Sequence, residues 1–181
     1  IDELEKICKS ADFSTEYYQE KSKEIDACYD EIIREMPKNM NEKEAVQYFL
    51  NWIKDNVEYD YSVYESSIEP YYDKLYENEV YADVSNKGCI LDKRGICGGI
   101  SIILSELCNR VGITAYPVFG TIKSDGTLIP HGWVAMRVDD STYYIDPTYV
   151  CQTGEMDNLK MKNEMERIGD RQYQLEDSFE Y

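Results

Sequence analysis

The chain changes from a helical pattern to consecutive β-rich runs at one glycine, and this change limits what it can fold into. Apolar residues recur at helical spacing from 100 to 111, and Gly112 is suited to end that helix in a left-handed conformation. Three β-rich runs follow, at 114–122, 131–138 and 142–146. Short turn sequences separate these runs, so we expect neighbouring strands that begin directly after the helix.

Two further helices are expected nearer the start of the chain. Residues 1–36 are charged but carry apolar residues at helical spacing, and Pro37 ends this pattern. Asn41 is followed three residues later by Glu44, which resembles a capping box. A second helix is therefore predicted from this cap to about residue 56.

Two segments carry weaker patterns. Residues 57–87 form a long acidic excursion rich in tyrosine, within which a short helix is predicted at 71–77. The tail beyond residue 151 is polar and only weakly periodic. It is expected to be a peripheral helix or partly disordered.

The charge of the chain argues against polyanionic partners. Nineteen basic and 36 acidic side chains give a net charge of −17, which repels nucleic acid and anionic membranes. No apolar run reaches membrane-spanning length, and the first residues lack the features of a signal peptide. Because the chain begins at Ile1 rather than Met, a trimmed secreted or cell-surface protein is favoured over a cytoplasmic one.

The six cysteines do not indicate a disulfide framework or a metal site. Their spacings are irregular, and a chain of 181 residues is large enough to fold around an apolar core without disulfides. The sequence contains no Cys-x-x-Cys pair and a single histidine, too few for the usual zinc patterns. We therefore expect neither a metal nor a cofactor.

Cys97 stands where a thiol can become reactive. It begins the predicted helix at 100–111, and unpaired N–H groups and the helix dipole stabilise a thiolate at such a position. Gly95, Gly98 and Gly99 leave room for a substrate carbonyl, and backbone N–H groups there can hold an oxyanion. Cys108 lies three turns further into the helix and is expected to be an inert, buried thiol.

His131 and Asp146 can meet if the turn between their strands has an even number of residues. A two-residue loop at Asp139-Asp140 pairs Val138 with Ser141, which puts His131 and Asp146 on one face. A loop of odd length would place the two residues on opposite faces of the sheet, unless a bulge restored the register. Alone, a cysteine at a helix start, a histidine in a strand or an Asp-Pro turn is ordinary. Together, their order and spacing favour a Cys-His-Asp site.

At these residues the chain resembles the transglutaminase-like superfamily of cysteine enzymes, in its bacterial form. The matching motifs are Gly95-Ile96-Cys97-Gly98-Gly99, His131-Gly132-Trp133 and Asp146-Pro147-Thr148. The resemblance implies a papain-like α+β core in which the cysteine helix packs on an antiparallel sheet. It also implies that Cys97 forms a thioester, that His131 moves the proton and that Asp146 orients His131.

The resemblance extends less specifically to the surrounding residues. Tyr59 and Tyr61 are candidates for a second oxyanion donor, and Gly98 and Trp133 for contacts with substrate. Gly98 departs from the family, in which a larger polar residue commonly follows the cysteine. The shape of the neighbouring subsite is therefore expected to differ.

We expect a single transglutaminase-like domain over residues 1–181. It comprises an N-terminal helical extension (1–40), a catalytic core (42–150) and a polar tail (151–181). The predicted activity is acyl transfer from a peptide or isopeptide amide, and a protease or amidase is favoured because a small domain has few surfaces to position two proteins. The alternatives are a protein-crosslinking transglutaminase and a non-catalytic interaction module that keeps the fold.

Overall fold

The computed structural model describes residues 15–61, 86–124, 126–154 and 171–175. The predicted helix at 71–77 and the apolar positions before residue 15 lie outside these ranges. The described helices are α1 (Thr15–Glu35), α2 (Glu42–Asn56), α3 (Asn86–Asp92), α4 (Cys97–Arg110) and α5 (Pro147–Thr153). The described strands are β1 (Glu58–Tyr59), β2 (Arg94–Gly95), β3 (Ala115–Ser124), β4 (Thr127–Val138), β5 (Ser141–Ile145) and β6 (Gln172–Leu175).

The capping box predicted for the second helix is present. The Asn41 side chain accepts a hydrogen bond from the Glu44 N–H at 3.0 Å, and the Glu44 carboxylate accepts one from the Asn41 N–H at 2.8 Å. Two backbone donors at the helix start are thereby satisfied. Helix α2 ends at Asn56, where the sequence pattern predicts its end.

Four antiparallel strands form the main sheet, in the order β5-β4-β3-β6. Asp139 and Asp140 make the predicted two-residue turn with φ of 47° and 62°, both in the left-handed region that a tight hairpin turn favours. Val138 pairs with Ser141, so the predicted register is confirmed. The even loop length places His131 and Asp146 on the same face of the sheet.

The cysteine-bearing helix α4 lies between the N-terminal helices and the sheet, as the α+β prediction requires. Its residues Ile100, Ile103, Leu104 and Leu107 are fully buried. They share one apolar cluster with residues of α1, α2 and the sheet, including Phe49 and Val134. Because side chains alternate along a strand, Trp133 faces the other way and joins a second cluster with Ile122 and Tyr173.

The tail contributes a strand to the sheet, which corrects the expectation of a peripheral helix or disorder for its described part. β6 pairs with β3 from Gly120 to Lys123. This pairing requires a glycine at 120, because a Cβ there would lie 2.2 Å from the Gln174 carbonyl oxygen and 2.8 Å from the Trp133 ring. The predicted tail boundary at 151 also falls inside α5.

A two-stranded parallel ladder fixes the segment that leads into α4. β1 pairs with β2, so that Glu58 is opposite Arg94 and Tyr59 is opposite Gly95. The buried Asp60 carboxylate receives two hydrogen bonds from the Arg94 guanidinium, at 2.9 and 3.0 Å. Such a bidentate pair fixes direction as well as distance, so the chain enters Cys97 from a defined position.

Candidate active site

Cys97 is the first residue of α4, and the residue before it leaves the helix start open. Ile96 is the N-cap residue, and its apolar side chain makes no capping hydrogen bond. The N–H groups of the first turn are therefore not satisfied by a side-chain cap, unlike those of α2. This helix start can offer backbone donors and a positive dipole end to the half-buried Cys97 sulfur or to a bound oxyanion.

The structure brings the three predicted residues of the site together. His131 Nε2 lies 2.8 Å from Asp146 Oδ2, and both side chains are buried. Because Nε2 binds the carboxylate, Nδ1 is the ring nitrogen left to face Cys97, whose pKa the imidazole lowers. The sequence-based prediction of this juxtaposition rested on the parity of the Asp139-Asp140 turn.

Asp146 is held by five hydrogen bonds although it has no exposure to solvent. Its Oδ1 accepts the backbone N–H groups of Thr148 and Tyr149, at 3.0 and 3.2 Å, so the residue is also the N-cap of α5. Its Oδ2 accepts His131 Nε2, Arg171 Nη1 at 3.0 Å and the Tyr173 hydroxyl at 2.6 Å. A buried carboxylate is tolerated because partners replace the water that it loses.

Arg171 and Tyr173 are site residues that sequence reasoning did not identify. Both belong to the tail, separated from Asp146 by 25 and 27 positions. The Arg171 guanidinium lies over the Tyr149 ring, 4.9 Å from its centroid. The alternation in Gln172-Tyr173-Gln174-Leu175 is the only sequence signal for this strand, and four residues are too few to distinguish it from a loop.

The electrostatic environment favours a thiolate at Cys97. Burial by itself raises the pKa of the thiol, but hydrogen bonds from His131 and the Gly132 backbone and the charge of the imidazole lower it below the ordinary 9.0. Burial raises the pKa of Cys108 and Cys151, each to about 12, and that of Cys28. Of these four thiols, Cys97 alone combines a lowered pKa with a helix start, and Cys108 is the inert buried thiol that was predicted.

His131 is correspondingly easier to protonate than an ordinary histidine. Burial disfavours the imidazolium, but the charge and hydrogen bond of Asp146 and the contact with Cys97 together raise the pKa of His131 to about 9. The pKa of Asp146 is lowered: burial opposes its charge, and His131, Tyr173 and Arg171 stabilise it. When Cys97 is a thiolate and His131 an imidazolium, the cluster has two negative groups, Cys97 and Asp146. Their charges are balanced by two positive groups, His131 and Arg171.

The four residues predicted to contact an oxyanion or the substrate lie in different settings. Tyr59 stands beside Gly95, two residues before Cys97, and the exposed Tyr61 ring contacts it at 4.9 Å between centroids. Gly98 is in the first turn of α4. Trp133 is fully buried, with its ring stacked 6.2 Å from that of His131, so it contacts the histidine rather than open space.

The described ranges contain neither a metal-binding cluster nor a membrane-spanning helix. No group of three or more His, Cys, Asp or Glu side chains there is arranged to hold a metal ion. None of the helices in the described part of the chain combines the length and the apolar character that crossing a bilayer requires.

Comparison with known proteins identifies the fold. The structure is similar to a crystal structure of a TGase, with a TM-score of 0.56 and 19% sequence identity. A candidate cysteine protease from Cytophaga hutchinsonii is also similar, with a TM-score of 0.44 and 19% identity. These alignments cover 81% and 71% of this chain but only 37% of each of the other two. No curated protein matches the sequence significantly.

The family assignment comes from the sequence. A family model described as a transglutaminase-like domain matches residues 27–166. The match spans most of the chain and includes all three motifs from which the resemblance was inferred. It confirms that resemblance, and together with the structural similarity it confirms the predicted transglutaminase-type α+β fold. The chain therefore belongs to the family of transglutaminase-like domains.

Proposed function

We propose that this protein is a cysteine-dependent acyl-transfer enzyme that acts on peptide or isopeptide amides through a thioester at Cys97. The observation that carries the proposal is the contact of the Cys97 thiol with an imidazole whose far nitrogen binds the buried Asp146 carboxylate. A buried structural histidine does not need a half-buried thiol of lowered pKa beside it. A catalytic cysteine, in contrast, needs a base such as His131 beside it and a group such as Asp146 that orients the base.

The first half-reaction follows from the charges of the site. The Cys97 thiolate attacks the amide carbonyl carbon, a carbon–sulfur bond forms, and negative charge moves onto the carbonyl oxygen. Uncapped N–H groups at the start of α4 are suited to receive this oxyanion. The tetrahedral intermediate collapses as the carbon–nitrogen bond breaks, and the imidazolium of His131 gives its proton to the departing nitrogen. A thioester and a free amine result.

The second half-reaction restores the enzyme. Neutral His131 takes a proton from water or from an amine as either attacks the thioester carbonyl, and the carbon–sulfur bond breaks. The sulfur leaves as a thiolate beside the newly formed imidazolium, which is the charge state that attacked the substrate. Water gives a carboxylic acid and so makes the protein a protease or amidase. An amine gives a new amide and makes it a transglutaminase.

Asp146 acts in this scheme by holding His131 rather than by moving a proton. Its pKa is lowered and its oxygens already accept five donors, so it stays ionised throughout. The bond to Nε2 fixes the tautomer in which Nδ1 faces the sulfur.

The proposal is tested by incubating the protein with a peptide mixture in ¹⁸O-labelled water, with and without a primary amine. Mass spectrometry should find products that carry one ¹⁸O at a new carboxyl group, and amine adducts if transfer competes. The intact protein should gain the mass of an acyl group on Cys97. Cys97→Ser should abolish all of these signals, whereas Cys28→Ser, which removes a half-buried thiol of raised pKa, should retain them. Absence of any Cys97-dependent product or adduct would favour the non-catalytic interaction module.

A further inference from the structure

Phe119 lies beside the reacting residues and is not accounted for by the core. It is on β3, where it pairs with Gly132, and 45% of its surface is exposed. It belongs to neither of the two buried apolar clusters. A single exposed phenylalanine is ordinary on a protein surface, so exposure alone does not indicate a role.

The Phe119 ring rests on two glycines. A Cβ placed on Gly132 would lie 3.0 Å from the Phe119 ring, and one placed on Gly98 would lie 3.7 Å from the same ring atom. The same added Cβ on Gly132 would lie 3.6 Å from the Gly98 Cα, so β4 and the start of α4 approach each other closely under the ring. The ring therefore covers the junction between the strand and the helix.

These two glycines are the direct chain neighbours of the proposed catalytic pair. Gly98 follows Cys97, and Gly132 follows His131 and contacts the Cys97 sulfur through its backbone. Phe119 therefore lies against the residue that follows Cys97 and the residue that follows His131. Aromatic rings stack on planar apolar groups, so this ring would favour substrates that carry such a group.

The Phe119 ring can lie against the start of α4 because residue 98 is a glycine. A methyl group at that position would make ordinary van der Waals contact with Phe119, and a longer side chain would extend into the space of the ring. Gly98 therefore leaves the space beside Cys97 to the aromatic side chain of the sheet.

We propose that Phe119 forms an aromatic wall of the substrate subsite next to Cys97 and selects apolar, planar groups adjoining the scissile amide. This inference rests on the proposed function, because it assumes that Cys97 is the nucleophile. It deepens that function by naming the chemical class of group that the site accepts.

The wall is tested with two electrophiles that differ in one aromatic group. Chloroacetamide and N-benzylchloroacetamide both alkylate a thiolate, with a carbon–sulfur bond formed and chloride released. The quantity measured is the ratio of their rates at Cys97, obtained by peptide mass spectrometry and divided by the same ratio for N-acetylcysteine. We expect this normalised ratio to be about three to ten in the unaltered protein, the range set by one aromatic contact.

Phe119→Ala should reduce the normalised ratio to about one, because the benzyl group then has no ring to stack on. Tyr116→Ala is the matched control, since Tyr116 is an exposed aromatic residue of β3 that faces the other side of the sheet, and it should keep the ratio. Phe119→Leu keeps an apolar side chain if the alanine variant proves unstable, and should give an intermediate ratio.

Three results separate the claims. An unchanged ratio in both Phe119 variants would overturn the aromatic wall while leaving the proposed function intact. A chloroacetamide rate that rises in Phe119→Ala with no fall in the ratio would also overturn it, because the ring would then only shield the sulfur. Labelling of Cys97 no faster than N-acetylcysteine with either reagent, in every protein, would contradict the proposed function instead.

Discussion

The Tyr173 hydroxyl donates a hydrogen bond of 2.6 Å to Asp146 Oδ2, the oxygen that also receives His131 Nε2. A strand from the last part of the chain thereby reaches the residue that orients the histidine. The sheet order places β6 at one edge and β5, which leads into Asp146, at the other. The sheet must curl for the two ends to meet, and the tail is therefore part of the site rather than an appendage.

Tyr173→Phe should destabilise the protein by about 1–3 kcal/mol, the cost of losing a buried hydrogen bond to a charged group. Urea unfolding at pH 7 measures this change. Tyr116→Phe removes the hydroxyl of an exposed tyrosine and should change the free energy of unfolding by less than about 0.5 kcal/mol. Equal effects of the two substitutions would mean that the Tyr173 bond contributes nothing to the fold.

Gly120→Ala should be among the most damaging single-methyl additions to the sheet. The added Cβ would collide with the Gln174 backbone and the Trp133 ring, which leaves β6 no room to pair. We expect a loss of about 1–3 kcal/mol or more in the free energy of unfolding. Gly98→Ala is the matched control, because its Cβ has ordinary contacts and alanine favours a helix, so it should be neutral or stabilising by up to about 1 kcal/mol. A neutral Gly120→Ala would contradict the described packing of β6 on β3.

The sequence was sufficient to predict those parts of the site that depend on local rules. A capping box, a helix start at Cys97 and a two-residue turn each involve only a few consecutive residues. Once the turn is known, the alternation of side chains determines which face His131 and Asp146 share. These predictions agree with the structure because no distant residue is needed to make them.

The parts that escaped prediction depend on distant contacts. Arg171 and Tyr173 meet Asp146 only after the sheet has curled, and Asp60 meets Arg94 across 34 positions. Asp146 was predicted as the orienter of His131 but not as a helix cap, although Pro147 at the first helical position is a local signal for that role. The importance of Gly120 and Phe119 likewise follows from what packs against them and not from their own neighbours in sequence.

The raised pKa of His131 predicts how the free energy of unfolding changes with pH. The prediction is made for a variant without Cys97, because the lowered pKa of that thiol has the opposite effect on the pH dependence. In Cys97→Ser the contribution of Cys97 to the pKa of His131 is lost, but the charge and hydrogen bond of Asp146 still hold that pKa above the ordinary 6.5, so the histidine adds its full stabilisation below pH 6.5. That contribution is lost as the pH rises from 6.5 to 9. We expect the free energy of unfolding to fall by about 1–3 kcal/mol over this range.

Urea unfolding at pH 6 and pH 9 measures this difference. The double variant Cys97→Ser with His131→Gln lacks the histidine but keeps Cys28, Cys108 and Cys151, whose raised pKa values lower the stability of both proteins near pH 9, so its decline between the two pH values should be smaller than that of the single variant. An identical decline in the single and double variants would assign the effect to groups other than His131.

The most direct test of the account is the rate of Cys97 alkylation by chloroacetamide between pH 5 and pH 10, in the unaltered protein and in His131→Gln. Cys97 in the unaltered protein should react as a thiolate with a midpoint below pH 9, because the imidazolium stabilises the negative sulfur. In His131→Gln the imidazole is lost while burial, the Gly132 backbone donor and the charge of Asp146 remain, so the midpoint should move to higher pH, and the rate at pH 6.5 should fall by at least about tenfold. Cys28, whose pKa is raised, serves as the internal reference and should label at the same rate in both proteins. Superimposable profiles for Cys97 in the two proteins, with midpoints near pH 9, would contradict the account.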